Sequence, residues 1–150
     1  MERLFCTVGP SSAYFGEKDF QQTLVVSDLA REMGYPNIVV CPTVREESGL
    51  ALSSRNVLLN PDEKHLARQI YPALLAARDA WQSGERTADG LSAAMADCLN
   101  HDGLILEYAE VRDPAQWTAQ LPQTPLERAQ ALIAVRIGSV RLIDNLRLDR

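Results

Sequence analysis

The sequence predicts an α/β protein in two parts: a parallel strand–helix–strand unit within residues 1–59, and a small α+β domain over residues 60–150 with a helix pair on an antiparallel sheet. Three observations carry this. Ala13-Tyr14-Phe15 and Asn37-Ile38-Val39-Val40-Cys41 are short apolar runs on either side of a helical pattern, the order of a parallel βαβ unit. Asn60-Pro61-Asp62-Glu63 combines a capping residue, a proline at the first helical position and a glutamate that completes a capping box. Near the end, two apolar runs over residues 131–137 and 140–148 flank Gly138-Ser139, a two-residue hairpin signal.

In chain order, residues 2–8 form a short apolar segment with the character of a helix tail, closed by the turn residues Gly9-Pro10-Ser11-Ser12. Phe15 leads through Gly16-Glu17-Lys18-Asp19 into a helix, with Asp19 and Gln22 spaced as a capping box. Leu24, Val25, Leu29 and Met33 recur at helical spacing, and Gly34 with Pro36 supplies the stop. The β-branched run at Ile38-Val39-Val40 has the composition of a strand buried on both faces. Two strands and one helix cannot cover a parallel sheet, so this unit is expected to be the last part of a larger doubly wound domain. The bland alternative is that it packs on the C-terminal half or on a second copy of the chain.

Residues 43–56 form a long connection in which Ser53-Ser54-Arg55-Asn56 supplies a dense set of donors suited to phosphate oxygens, although Ser-Ser-Arg alone is also an ordinary surface turn. From Asn60 a helix runs toward Ser83 with Leu66, Ile70, Leu74, Ala77 and Trp81 as its stripe; Pro72 kinks or splits it and Gly84 ends it. A second helix is expected over about residues 88–100, capped by Thr87, with Leu91, Met95 and Leu99 inward. Residues 104–112 read as a strand closed by Asp113-Pro114. Residues 115–128, with Pro122 and Pro125, read as a loop.

The net charge of -5 argues against nucleic acid or a membrane surface as partner, since both need a basic footprint. Cys6, Cys41 and Cys98 are far apart and odd in number, which predicts reduced, buried thiols and no metal site. No apolar run approaches the roughly 18 residues of a membrane span, and a cytoplasmic location is expected. His65 and His101 lie near helix ends without ligand-spaced partners and read as solvated or capping residues.

Four stretches together resemble the pantothenate synthetase family, ATP-dependent ligases that join pantoate to β-alanine. They are Tyr14-Phe15-Gly16-Glu17-Lys18-Asp19-Phe20-Gln21-Gln22, Pro42-Thr43-Val44-Arg45-Glu46, Gly49-Leu50-Ala51-Leu52-Ser53-Ser54-Arg55-Asn56, and Arg141-Leu142-Ile143-Asp144-Asn145. Each is modestly specific; four in register are much more so, and they match the second half of the family. The resemblance implies a partial Rossmann-like, nucleotidylyltransferase-type unit followed by a lid-like domain. It implies that Gly16, Glu17, Lys18 and Asp19 line an ATP site, that Gln22 contacts pantoate, and that Val44 touches adenine through its backbone. Leu52, Ser53, Ser54 and Arg55 would form a mobile phosphate-binding loop, Lys18 and Arg55 would be the catalytic cations, and Mg²⁺ would accompany ATP. The family's His-x-Gly-His turn has no counterpart in these residues, and Val40-Cys41 stands where a Gly-Val pair is usual. The expectation is therefore a C-terminal part that is a poor catalyst alone, with a separate N-terminal half or a homo-oligomer left open as partner. The alternative is a non-catalytic nucleotide-binding or assembly module.

Overall fold

The two apolar runs of the first part do pair. In the computed structural model, which describes residues 1–118, 120–123 and 125–150, a short helix α1 (Glu2–Val8) precedes β1 (Ser12–Gly16). A single 3-10 turn (Glu17–Asp19) then leads into α2 (Phe20–Met33), and the chain returns as β2 (Asn37–Cys41). β1 and β2 are parallel, in register from Ser12 opposite Asn37 to Gly16 opposite Cys41. This is the expected βαβ unit, and it belongs to the first of two compact units, Met1–Val44.

Three expectations for this unit fail in detail. The buried face of α2 is Thr23, Val26 and Ala30; Leu24 and Leu29 are half-buried and Val25 is exposed. A helix lying on only two strands buries a narrow stripe, so the apolar residues beside that stripe stay in water. β2 is not buried on both faces either, since Val40 is 44% exposed and Tyr14 on β1 is 70% exposed. The three cysteines are free, as expected, but Cys6 is exposed and Cys41 and Cys98 are half-buried. Cys6 projects from a helix whose buried contribution is Phe5.

The second unit, Arg45–Arg150, holds the principal core. Its helices are α3 (Pro61–Ala67), α4 (Ile70–Gln82) and α5 (Ala88–Asp97); its strands are β3 (Leu104–Arg112), β4 (Gln130–Ile137) and β5 (Val140–Arg147). The strands form an antiparallel sheet in the order β3-β4-β5. The capping box at α3 is complete: Asn60 Oδ1 accepts from the Glu63 N–H at 2.9 Å, and Glu63 Oε2 accepts from the Asn60 N–H at 2.9 Å. Pro72 splits the long helical pattern, because α4 begins two residues before it, where a missing N–H costs nothing within the first turn. Ile70, Leu74, Ala77 and Trp81 are buried, and so are Leu91, Met95 and Leu99 from the second helical pattern, although α5 itself ends at Asp97. Thr87 caps α5 by accepting from the Gly90 N–H at 3.2 Å.

On β4, Ala131, Ile133, Val135 and Ile137 join the helix residues in one core. Gly138 takes φ 55° at the first turn position, the positive φ at that place that a two-residue hairpin of type II′ demands of glycine. Between Leu106 and Tyr108 the register of β3 shifts against β4, which leaves Glu107 as the extra residue of a bulge. Its carboxylate accepts from Arg136 Nη2 at 2.8 Å and Arg141 Nε at 2.6 Å. The Arg141 guanidinium holds the Glu107 carboxyl below its usual range, and Glu107 in turn raises Arg141.

The loop expected over residues 115–128 includes Ala119 and Thr124, which lie outside the described residues; its other residues form no helix or strand. The compact units divide after Val44. The segment at residues 45–59, which the sequence pattern assigns to the end of the first part, therefore packs with the second.

Candidate functional site

In the first unit, β1 and β2 run parallel, so their carboxyl ends share one edge, with Gly16 opposite Cys41. Gly16 ends β1 at that edge, Glu17, Lys18 and Asp19 follow it, and Val44 follows β2 three residues after Cys41. The fold thus brings the first predicted set and Val44 to one end of one sheet, where ligands of open α/β sheets bind. Gly16 and Asp19 are exposed and Glu17 and Lys18 half-buried. Gln22 lies in the first turn of α2 and is exposed.

The capping box expected of Asp19 and Gln22 does not form. Asp19 occupies the cap position of α2, but its side chain makes no capping hydrogen bond, because the preceding 3-10 turn leaves it at φ −94°, ψ 57°. That is outside the extended region from which a side chain reaches the second or third N–H. The Asp19 side chain therefore takes no part in capping α2.

In the second unit, the predicted phosphate loop is a short exposed bight between two buried anchors. Ala51 and Asn56 are buried, whereas Leu52, Ser54 and Arg55 are exposed and Ser53 is half-buried. Asn56 Nδ2 donates to the Ala51 carbonyl at 3.0 Å and ties the two anchors together. Inside the bight, Ser53 Oγ accepts from the Arg55 N–H at 3.2 Å and the Ser53 carbonyl accepts from the Asn56 N–H at 3.0 Å, which opens a 3-10 turn (Ser54–Leu58). Asn56 is buried and turns its amide inward, with one Nδ2–H on the loop itself, whereas the sequence groups it with the outward donors. The Ser54 hydroxyl and the Arg55 guanidinium project from a backbone that is already held.

The base of this loop contains the residues that sequence reasoning left without a role. Arg45 pairs with Asp144 through both ends of its guanidinium, Nη1 to Oδ2 at 2.5 Å and Nη2 to Oδ1 at 3.1 Å. It also donates to the Gly49 carbonyl at 3.0 Å and lies 4.1 Å from the centroid of the Tyr71 ring. Gly49, at φ 86°, packs so closely on Tyr71 that a Cβ there would fall 2.5 Å from Cδ1. Nearby, Lys64 Nζ pairs with Glu46 Oε1 at 3.2 Å. A signal for this was present in the strand pattern: Val140, Leu142, Leu146 and Leu148 alternate, and Asp144 interrupts them at a position that the core should claim.

Among the described residues, no three His, Cys, Asp or Glu side chains converge as metal ligands, and His65 and His101 are both exposed. Also among the described residues, no helix is long and apolar enough to cross a membrane.

A parallel βαβ edge in one unit and a pinned, cation-bearing loop on an α+β unit make this an α/β protein. The chain belongs to the pantoate-beta-alanine ligase family, whose model matches residues 1–147. It is 44% identical over 149 residues to the pantothenate synthetase of Roseiflexus sp. (strain RS-1), covering 98% of this chain and 53% of that protein. The pantothenate synthetase of Rubrobacter xylanophilus is 46% identical over 144 residues, 95% of this chain and 49% of the relative. Among solved structures, the pantothenate synthetase of Thermus thermophilus is similar at TM-score 0.89 and 40% identity, covering 99% of this chain and 54% of that one. A pantoate-beta-alanine ligase from Francisella tularensis, complexed with beta-gamma ATP and beta-alanine, gives TM-score 0.65 and 28% identity over 99% and 48%. The chain spans about half the length of the curated relatives it matches.

Proposed function

We propose that this chain is the C-terminal part of an ATP-dependent ligase that condenses pantoate with β-alanine through a pantoyl adenylate. The observation that carries the reading is the 52–55 bight, which offers Ser53, Ser54 and Arg55 on a fixed backbone, in a member of the pantoate-beta-alanine ligase family. The Francisella relative, whose structure holds beta-gamma ATP and beta-alanine, supports nucleotide and amine as the ligands.

In this reading Gly16, Glu17, Lys18 and Asp19 line the nucleotide site, Val44 meets adenine through its backbone and Gln22 contacts pantoate. Leu52, Ser53, Ser54 and Arg55 hold the phosphates. When the pantoate carboxylate attacks the α-phosphorus, the oxygen–phosphorus bond to pyrophosphate breaks and negative charge grows on the phosphoryl and leaving oxygens. Lys18 and Arg55 stabilise that charge as positioned cations. The β-alanine amine then attacks the pantoyl carbonyl, forms the amide, loses a proton and releases AMP. Mg²⁺ would ride on the phosphate oxygens and water, the mode in which it needs few protein carboxylates. In this reading the rest of the site comes from the family's first half, which these residues do not match, and without it they turn over poorly.

Calorimetric titration with Mg²⁺ and ATP tests the binding claim, and a saturable heat is expected. No saturable heat would remove the nucleotide assignment. A pyrophosphate-release assay with pantoate and ATP tests the other half of the reading: robust turnover by the chain alone would show that it is not a dependent part.

A further inference from the structure

Asp144 stands on the core face of β5. It is opposite Ile133 in the β4–β5 register, in the row where Leu142 opposes Val135 and Leu146 opposes Ala131. Its side chain is 2% exposed, and that of Arg45 is 17% exposed. A carboxylate in such a row loses its hydration and depends on partners for compensation. Asp144 has them: Oδ2 accepts from Arg45 Nη1, and Oδ1 accepts from Arg45 Nη2 and from the Asn145 N–H at 2.8 Å. A buried pair of this kind adds little net stability over an apolar pair of the same size, but a bidentate guanidinium–carboxylate fork defines distance and orientation tightly. What this pair supplies is geometry.

That geometry is delivered to one place. The same guanidinium that grips Asp144 also holds the Gly49 carbonyl, and the Arg45 backbone forms an isolated bridge to Ala51. Ala51 is the first anchor of the 52–55 bight and is tied to the second anchor, Asn56. A continuous set of contacts therefore leads from the β5 carboxylate to the backbone that carries Ser53, Ser54 and Arg55. Resting on the reading of this bight as the phosphate loop, we propose that Arg45 is its positioning residue. Clasped by Asp144, it sets the angle at which the loop meets phosphate, without touching phosphate itself.

The test uses the full chain and five variants: Arg45→Lys, Arg55→Ala, the double variant, Lys64→Ala and Tyr71→Leu. Hydrogen exchange reads the amides of residues 52–56, calorimetry reads the affinity for Mg²⁺ and ATP, and thermal unfolding monitors the fold. Arg45→Lys keeps the charge but loses the fork. Its loop amides are expected to exchange about tenfold faster and its ATP affinity to fall about tenfold, the scale of a misplaced binding group. Because Arg45 acts through the loop, part of its effect runs through Arg55, and the loss of affinity in the double variant should be clearly smaller than the sum of the two single losses, a non-additivity that a merely stabilising residue would not produce. Lys64→Ala, which breaks a more exposed pair at the same loop base, should leave both readouts within about twofold. Unchanged loop exchange in Arg45→Lys, or strict additivity with Arg55→Ala, overturns the proposal. If Arg45→Lys fails to fold, Tyr71→Leu, which removes the ring beneath the guanidinium, carries the same expectation, and unchanged loop exchange in that variant overturns the proposal equally. Absence of ATP binding by the unaltered chain defeats the phosphate reading alone; the exchange data then decide whether Arg45 positions the loop.

Discussion

Asn56 and Ala51 are joined by one hydrogen bond, from the side-chain amide of the first to the backbone carbonyl of the second, and the bight between them is largely in water. The other amide atom, Oδ1, is buried without a hydrogen-bond partner among the described residues. Asn56→Ala removes a bond and an unsatisfied acceptor together, so the loss of global stability should be small, about 1 kcal/mol by denaturant unfolding. The local effect should be larger. Amide exchange across residues 52–55 should accelerate well beyond that of β4, and equal protection in variant and parent would show that the tie does not hold the loop.

The α3 cap and the β4–β5 turn meet at one carboxylate. A Cβ on Gly138 would lie 2.2 Å from Glu63 Oε1, while Glu63 Oε2 is engaged by the Asn60 N–H. Gly138→Ala therefore combines a positive φ, costing about 1–2 kcal/mol in an L-residue, with displacement of the capping glutamate. It should destabilise the second unit by about 2–3 kcal/mol, against about 1 kcal/mol for Asn60→Ala. Thermal unfolding of the two variants checks the order; a Gly138→Ala protein as stable as its parent refutes the close approach.

Asp149 is held by Arg147 and by the Ala129 N–H at 3.0 Å, and the Arg147 guanidinium lowers its carboxyl from 3.8 to about 2. Since the folded value lies below the unfolded one, the stabilisation is fully present above about pH 4 and disappears as pH falls through about 2. After screening by solvent this amounts to about 1 kcal/mol. The stability difference between the parent and Asp149→Asn should shrink between pH 4 and pH 2, and a difference independent of pH over that window would contradict it.

Lys18→Ala and Arg55→Ala, introduced into an enzyme that joins this chain to the family's first half, should each lower pyrophosphate release by about a hundredfold or more, the scale of losing one oxyanion donor. Arg55 is exposed, so Arg55→Ala should hardly move the melting temperature. Unchanged rates in both variants would take the catalytic role away from them.

Local patterns make most elements legible. The capping box at Asn60, the stripe Ile70, Leu74, Ala77 and Trp81, and the glycine turn at Gly138 each depend on residues within a few positions, whose chemistry is the same in any surroundings. The Asp19–Gln22 box is equally sound on spacing and still does not form, because a 3-10 turn before it changes the backbone angles of the capping residue. Asn56 departs from its expected role for a related reason: a run of donors in sequence does not say which of them turns inward.

The sequence by itself determined the order of strands and helices, the family and the candidate residues at Gly16, Glu17, Lys18, Asp19, Val44 and the 52–55 loop, since these are written in contiguous motifs. Only the tertiary structure decided that the loop belongs to the second unit, that its base is clasped by Asp144, and that Asn56 closes it. Arg45 and Asp144 are separated by most of the chain, and a pairing at that distance is set by strand register and by the need of a buried carboxylate for a partner. No local pattern encodes that need; Asp144 interrupting an apolar alternation marks where it arises, and the fold determines which arginine meets it.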